Sequence, residues 1–173
     1  AICSVFVILG AVNSGAGAAE TLGKLGAIDA LAGAFMAAFS AALAVYLMTK
    51  AGLPVSTTQA IVGAIVGWNL FTGTATDTNS LTKILATWVV CPFLAAGISV
   101  GLFKITTALL KKANLHLLRT DAYTRFGLLV AGAFGSYSLG ANNIGNVMGV
   151  FVPASPFTDF SFAGLLTFTS NEQ

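Results

Sequence analysis

Ser56-Thr57-Thr58-Gln59 sets three consecutive hydroxyls and a side-chain amide just after Gly52-Leu53-Pro54-Val55, between two long apolar segments. An unpaired hydroxyl or amide in an apolar medium costs about 2–7 kcal/mol on transfer scales. The cluster therefore needs a partner, either another helix or a solute. A second cluster, Gly140-Ala141-Asn142-Asn143-Ile144-Gly145-Asn146, puts three amides and two glycines inside an apolar run from about Phe126 to Val152. Each Gly costs about 1 kcal/mol against Ala in a helix. The pattern predicts that the helix unwinds there, freeing carbonyls for a cation and helix N-termini for an anion.

The donors suit a small oxyanion. Ser56, Thr57 and Thr58 donate through hydroxyls and, if they open a helix, through first-turn N–H groups. Gln59, Asn142, Asn143 and Asn146 each donate through NH2 and accept through C=O. Their oxygens also suit a hard cation such as Na⁺, and no Arg or Lys is expected at mid-span to hold an anion too tightly. The competing explanation is purely structural. Ser and Thr bond back to their own helix, and Asn bonds across helices. Catalysis is the least supported class, since six acids and one His offer no nucleophile, base and orienting group in sequence proximity. His116 sits among cations and reads as an ordinary exposed His. Cys3 and Cys91 read as buried packing thiols.

The elements that hold these clusters follow from composition. Hydrophobic residues make up 56% and charged residues 8%, against about 25% charged in soluble domains. The fold class expected is all-α, a polytopic transmembrane helical bundle with broken helices, in the cell (inner) membrane. The net charge of +2 reads as topology signal and not as a nucleic-acid surface.

Apolar segments are expected over Ala1–Ala19 (ended by Glu20–Lys24), Ala30–Met48, Pro54–Phe71, Leu81–Leu110 with a kink at Pro92, and Phe126–Val152. Another span is expected to start over Phe160–Thr169. The small residues Ala32, Gly33, Ala37, Ala38, Ala41 and Ala42 recur at helical spacing, so one face of the second segment can meet a neighbour closely. Such faces also allow a homodimer. Lys111–Arg125 alternates Leu with cations and reads as an amphipathic segment at the membrane surface. The cations of Lys104–Arg125 should be cytoplasmic. Lys50 joins them if Pro54–Phe71 crosses fully, whereas a re-entrant segment would reverse everything upstream. Ala1 opens inside an apolar run, which reads as an internal piece of a longer polypeptide.

Leu53-Pro54-Val55-Ser56-Thr57-Thr58-Gln59-Ala60, with Gly63 and Gly67, closely resembles the P-V-S-T-T-H-A…G motif of the inorganic phosphate transporter family. Gly140–Asn146 resembles that family's G-A-N-D-x-x-N motif. Gly10–Lys24 and Trp88–Pro92 resemble two further family segments, so the likeness covers nearly the whole chain. It implies an inverted-repeat transporter, with 1–110 as the late part of one repeat, 111–125 as a connector and 126–173 as the early part of the next. It implies phosphate (or, in a sulfate permease of the family, sulfate) at Ser56, Thr57, Thr58, Gln59, Asn142 and Asn143. It implies a co-transported Na⁺ or H⁺ at Asn142, Asn143 and Asn146, and no resident cofactor or metal. Two positions depart from the motifs. Gln59 stands for the family His, and Asn143 for the family Asp.

Overall fold

A computed structural model describes residues 2–26, 28, 30–113, 117–154, 161–162 and 166–167. The described residues form five helices: α1 (Ile2–Leu25), α2 (Leu31–Lys50), α3 (Thr57–Thr72), α4 (Thr78–Ala113) and α5 (Leu117–Met148). By length and composition α1, α2 and α4 can each cross a membrane.

α1 extends beyond Ala19 through the charged exit. Glu20 and Lys24 are four residues apart and pair at 2.6 Å on the helix surface, so the charges continue the helix instead of ending it. α1 packs lengthwise on α5, and glycines set the distance. A Cβ on Gly10 would lie 1.9 Å from the Tyr137 carbonyl oxygen, and one on Gly140 would lie 1.9 Å from that of Val7. Further along, Gly15 meets Ile144, Gly145 meets Ala18 and Gly149 meets Leu22. Positions rise together on both helices, so α1 and α5 run parallel. Ser14 and Tyr137 hydroxyls join across the interface at 2.6 Å.

These contacts correct the expected break at Gly140–Asn146, which is continuous helix. A Gly penalty measured in water is outweighed where only Gly lets two backbones touch in an apolar medium.

α2 packs on α3 through the small-residue face. Gly33, Ala34, Ala37 and Ala41 are buried, and Trp68, late in α3, lies against Gly33, early in α2. The two helices are antiparallel. Gly52, at φ 72°, takes the chain out of α2, and Leu53–Ser56 is not helical before α3 begins. The buried core gathers Leu22, Leu25, Ile28, Ile61, Val62, Ile65 and Val150 where α1, α2 and α3 meet.

Asn69 is fully buried there. Its amide nitrogen donates to the Thr76 hydroxyl (2.9 Å) and the Leu25 carbonyl (3.4 Å). The Asp77 N–H also donates to the Leu25 carbonyl (3.3 Å). The ends of α1 and α3 and the start of α4 therefore lie on one side. The cationic ends of α4 and α5 lie on the other, whereas α3, with 16 residues and a length of about 24 Å, is shorter than a hydrocarbon core of ~30 Å and starts beside Asn146.

α4 is one helix through Pro92. At 1.5 Å per residue its 36 residues span about 54 Å, well beyond a hydrocarbon core of ~30 Å. The described parts of Lys111–Arg125 are the end of α4 and the start of α5, not a separate amphipathic segment. Charges four apart pair on a helix that has left the bilayer, as Arg125 and Asp121 do at 2.9 Å. His116 lies outside the described residues.

Cys3 and Cys91 are exposed, not buried: Cys91 faces an open cleft. Most of Phe160–Thr169 lies outside the described residues. Its described parts, Ser161–Phe162 and Leu166–Thr167, pair as antiparallel strands β1 and β2, not as the start of a span.

Candidate functional site

Pro54 and the extended residues around it leave Ser56 as the N-cap of α3, at φ −108° and ψ 121°. The Gln59 N–H donates to the Ser56 hydroxyl oxygen at 3.3 Å, which satisfies one of the four free donors of a helix start. The N–H groups of Thr57 and Thr58 remain in that first turn, where the positive end of the helix dipole lies.

Two amides of α5 reach this helix start. Asn146 Nδ2 donates to Thr57 Oγ1 at 3.3 Å, and Asn142 Nδ2 donates to Thr58 Oγ1 at 3.5 Å. These bonds are long and weak. The two clusters singled out from the sequence thus meet, 84 and 89 residues apart in the chain. Each of the three hydroxyl oxygens accepts from a protein N–H. Each O–H hydrogen is left free to donate.

The contrast with other hydroxyls is direct. Thr21, Ser40, Thr87 and Ser136 each bond back to the carbonyl four residues earlier. Ser56, Thr57 and Thr58 have no helical turn before them and make no such bond. Their position at a helix start removes the structural explanation that serves the others.

A cleft of about 700 Å³ opens at this place. Ser56, Thr58, Gln59 and Val62 of α3 line it, with Asn142 and Asn146 of α5 and Ala18, Thr21 and Leu22 of α1. α4 closes it with Lys83, Ile84, Thr87, Trp88, Cys91, Pro92 and Ala95. Gly145 against Ala18 sets its depth, between the middle of α1 and its Leu25 end.

Thr57 holds Asn146 without itself lining the cleft. Asn143 is exposed and stands outside the lining. On a continuous helix Asn142 and Asn146 share a face, while Asn143 is turned about 100° away. Thr21, Lys83 and Thr87 are lining residues that the sequence reading did not select. Helical spacing of Lys83, Thr87 and Cys91 (i, i+4, i+8) is the signal that joins them, once α4 is known to face this place.

A model of the phosphate transporter family (PHO4) matches residues 1–160. The chain belongs to the phosphate transporter family. It is a multi-pass membrane protein of that family. Among curated proteins, it is 42% identical over 95 residues to the "Putative phosphate permease MJ0630" of Methanocaldococcus jannaschii, covering 54% of this chain and 32% of that one. It is 31% identical over 165 residues to the sulfate permease CysP of Bacillus subtilis, covering 88% of this chain and 43% of that one. It is 35% identical over 75 residues to a sodium-dependent phosphate transporter of Plasmodium falciparum, covering 41% and 11%. The chain spans less than half the length of each of these relatives. No solved structure matches it.

Proposed function

We propose that this chain supplies one wall of the substrate site of a secondary transporter of inorganic phosphate, driven by a Na⁺ or H⁺ gradient. The observation that carries the reading is the set of three hydroxyls at the α3 start, each accepting from an N–H and each with its O–H hydrogen free to donate to an anion. Hydroxyl and amide donors at a helix N-terminus suit an oxyanion. Ser56, Thr58, Gln59 and Asn142 face the anion, and Thr57 is held by Asn146. The Oδ1 atom of Asn146 is buried without a hydrogen-bond partner, which suits a hard cation such as Na⁺. Asn143, exposed and off this face, is assigned to the cation by its place in the Gly140–Asn146 motif. The face with Lys104–Arg125 is cytoplasmic. Movement of the repeats against each other gives alternating access, and no chemical step is assigned to the chain.

Phosphate uptake by the full-length protein in vesicles tests this, with Ser56→Ala, Thr57→Ala and Asn142→Ala. Undiminished uptake in all three removes these residues from the site. Sulfate is the second reading, favoured by the sulfate permease, whose match covers most of this chain. Excess sulfate that strongly suppresses labelled phosphate uptake would decide for it.

A further inference from the structure

We propose that the Lys83 ammonium is the counter-charge of the oxyanion in this cleft and its capture point on the Leu25 side of the bundle. The inference rests on the transport reading and adds a residue to it. Lys83 lines the cleft together with Ser56, Thr58 and Asn142, and it is the one charged side chain in that lining. Among the described residues the ion pairs are Lys24–Glu20 and Arg125–Asp121, so Lys83 has no carboxylate partner. The acid nearest in sequence, Asp77, feels the Lys83 charge only as the smallest of the effects that lower its pKa and forms no ion pair with it. Its carboxylate accepts from the Ser80 hydroxyl at 2.6 Å and from the N–H groups of Asn79 (3.0 Å) and Ser80 (3.3 Å), capping α4.

Depth gives the direction of capture. The Asp77 N–H bond to the Leu25 carbonyl fixes the start of α4 at the end of α1. Lys83 is six residues further on, about 9 Å along the helix. Cys91 and Ala95 line the cleft two to three turns deeper. The ammonium therefore stands at the end of the cleft opposite the cationic ends of α4 and α5. A flexible four-carbon stem lets it follow an anion into the cleft and release it, where a rigid guanidinium fork would hold two oxygens at once. It offsets the charge that the neutral donors of Ser56, Thr58 and Asn142 leave uncompensated.

Uptake of labelled phosphate and sulfate by the full-length protein in vesicles tests the assignment. Lys83→Gln should raise KM for the transported anion at least tenfold and leave the maximal rate within about twofold. Lys83→Arg should recover most of the affinity. An independent arm uses Lys83→Cys treated with an aminoethyl methanethiosulfonate, which restores a positive charge at that position and should lower KM again. The same treatment of the unaltered protein controls for Cys3 and Cys91. Unchanged KM in Lys83→Gln overturns the proposal while leaving the transport reading intact. Equal loss in the Gln and Arg variants, or no recovery on restoring the charge, overturns it as well. If the unaltered protein moves neither anion, the transport reading falls and this one with it.

Discussion

Ser56–Gln59 and Gly140–Asn146 have similar compositions, polar amides or hydroxyls beside residues that disfavour helices. The structure uses them in opposite ways. At Gly52–Ser56 the backbone does leave the helix, because Gly52 adopts positive φ and Pro54 cannot donate, so α3 begins with free donors. At Gly140–Asn146 the helix is unbroken, and the glycines serve contact with α1. A Gly in an apolar segment is thus ambiguous by itself. The neighbouring Pro and the identity of the packing partner decide whether it bends the chain or brings two chains together.

The comparison breaks first at Gly140. Gly140→Val should abolish extraction of folded protein, because the new side chain meets the Val7 backbone and cannot be accommodated by a rotamer change. Gly132→Val on the same helix, with nothing within 4 Å of an added Cβ, should be extracted normally. Yield of monodisperse protein in detergent distinguishes the two. Equal yields would mean that α1 and α5 do not pack through these glycines.

Asn69→Leu comes next. It leaves the Thr76 hydroxyl without its donor and the Leu25 carbonyl with the Asp77 N–H alone, at a cost of about 1–3 kcal/mol. A lower thermal midpoint should show it. Ser56→Ala should cost about 1 kcal/mol through loss of the α3 cap, and Ser56→Gly only a few tenths. Transport should fall in both, since each lacks the hydroxyl. Equal transport in Ser56→Gly and the unaltered protein would reduce Ser56 to a cap.

The smallest effect is at Asp77. The Ser80 hydroxyl first, and then the Asn79 N–H, hold its carboxyl below the ordinary carboxylate range. A folded-state pKa below the unfolded value adds stability that is fully present above the unfolded pKa. It is lost as pH falls through the depressed one. In Asp77→Asn the midpoint difference from the unaltered protein should therefore shrink on acidification. A difference that stays constant would exclude this cap as its source.

Much of the fold was legible because apolar runs of about 20 residues declare themselves. The Gly33–Ala41 face and the helix start after Pro54 followed from spacing and from Pro chemistry alone. The pairing of the two polar clusters was expected, and Thr57, Thr58, Asn142 and Asn146 do meet. Three things were not legible. The role of Gly140 and Gly145 depends on α1, 130 or so positions away, which no local propensity contains. The extension of α1 through Glu20–Lys24 and of α4 and α5 through the cationic stretch is hidden because a group of charges marks a helix end and a solvated or paired helix face alike. The place of Lys83 in the cleft depends on how α4 meets α3 and α5, which no local pattern contains. Separating Asn143 from Asn142 and Asn146 needed only the helical period, once the expected break was given up.

The central claim is that the α3 start and the α5 amides form one site. A double-mutant cycle on phosphate uptake by the full-length protein, with Thr58→Val, Asn142→Ala and both together, tests it most directly. Hydrogen bonds to a charged group are worth about 1.5–3 kcal/mol, so each single change should lower kcat/KM by about 10- to 100-fold. The double variant should be little worse than the poorer single, because the two residues act on one anion and on each other. Losses that multiply independently, or a single change without effect, would contradict a shared site.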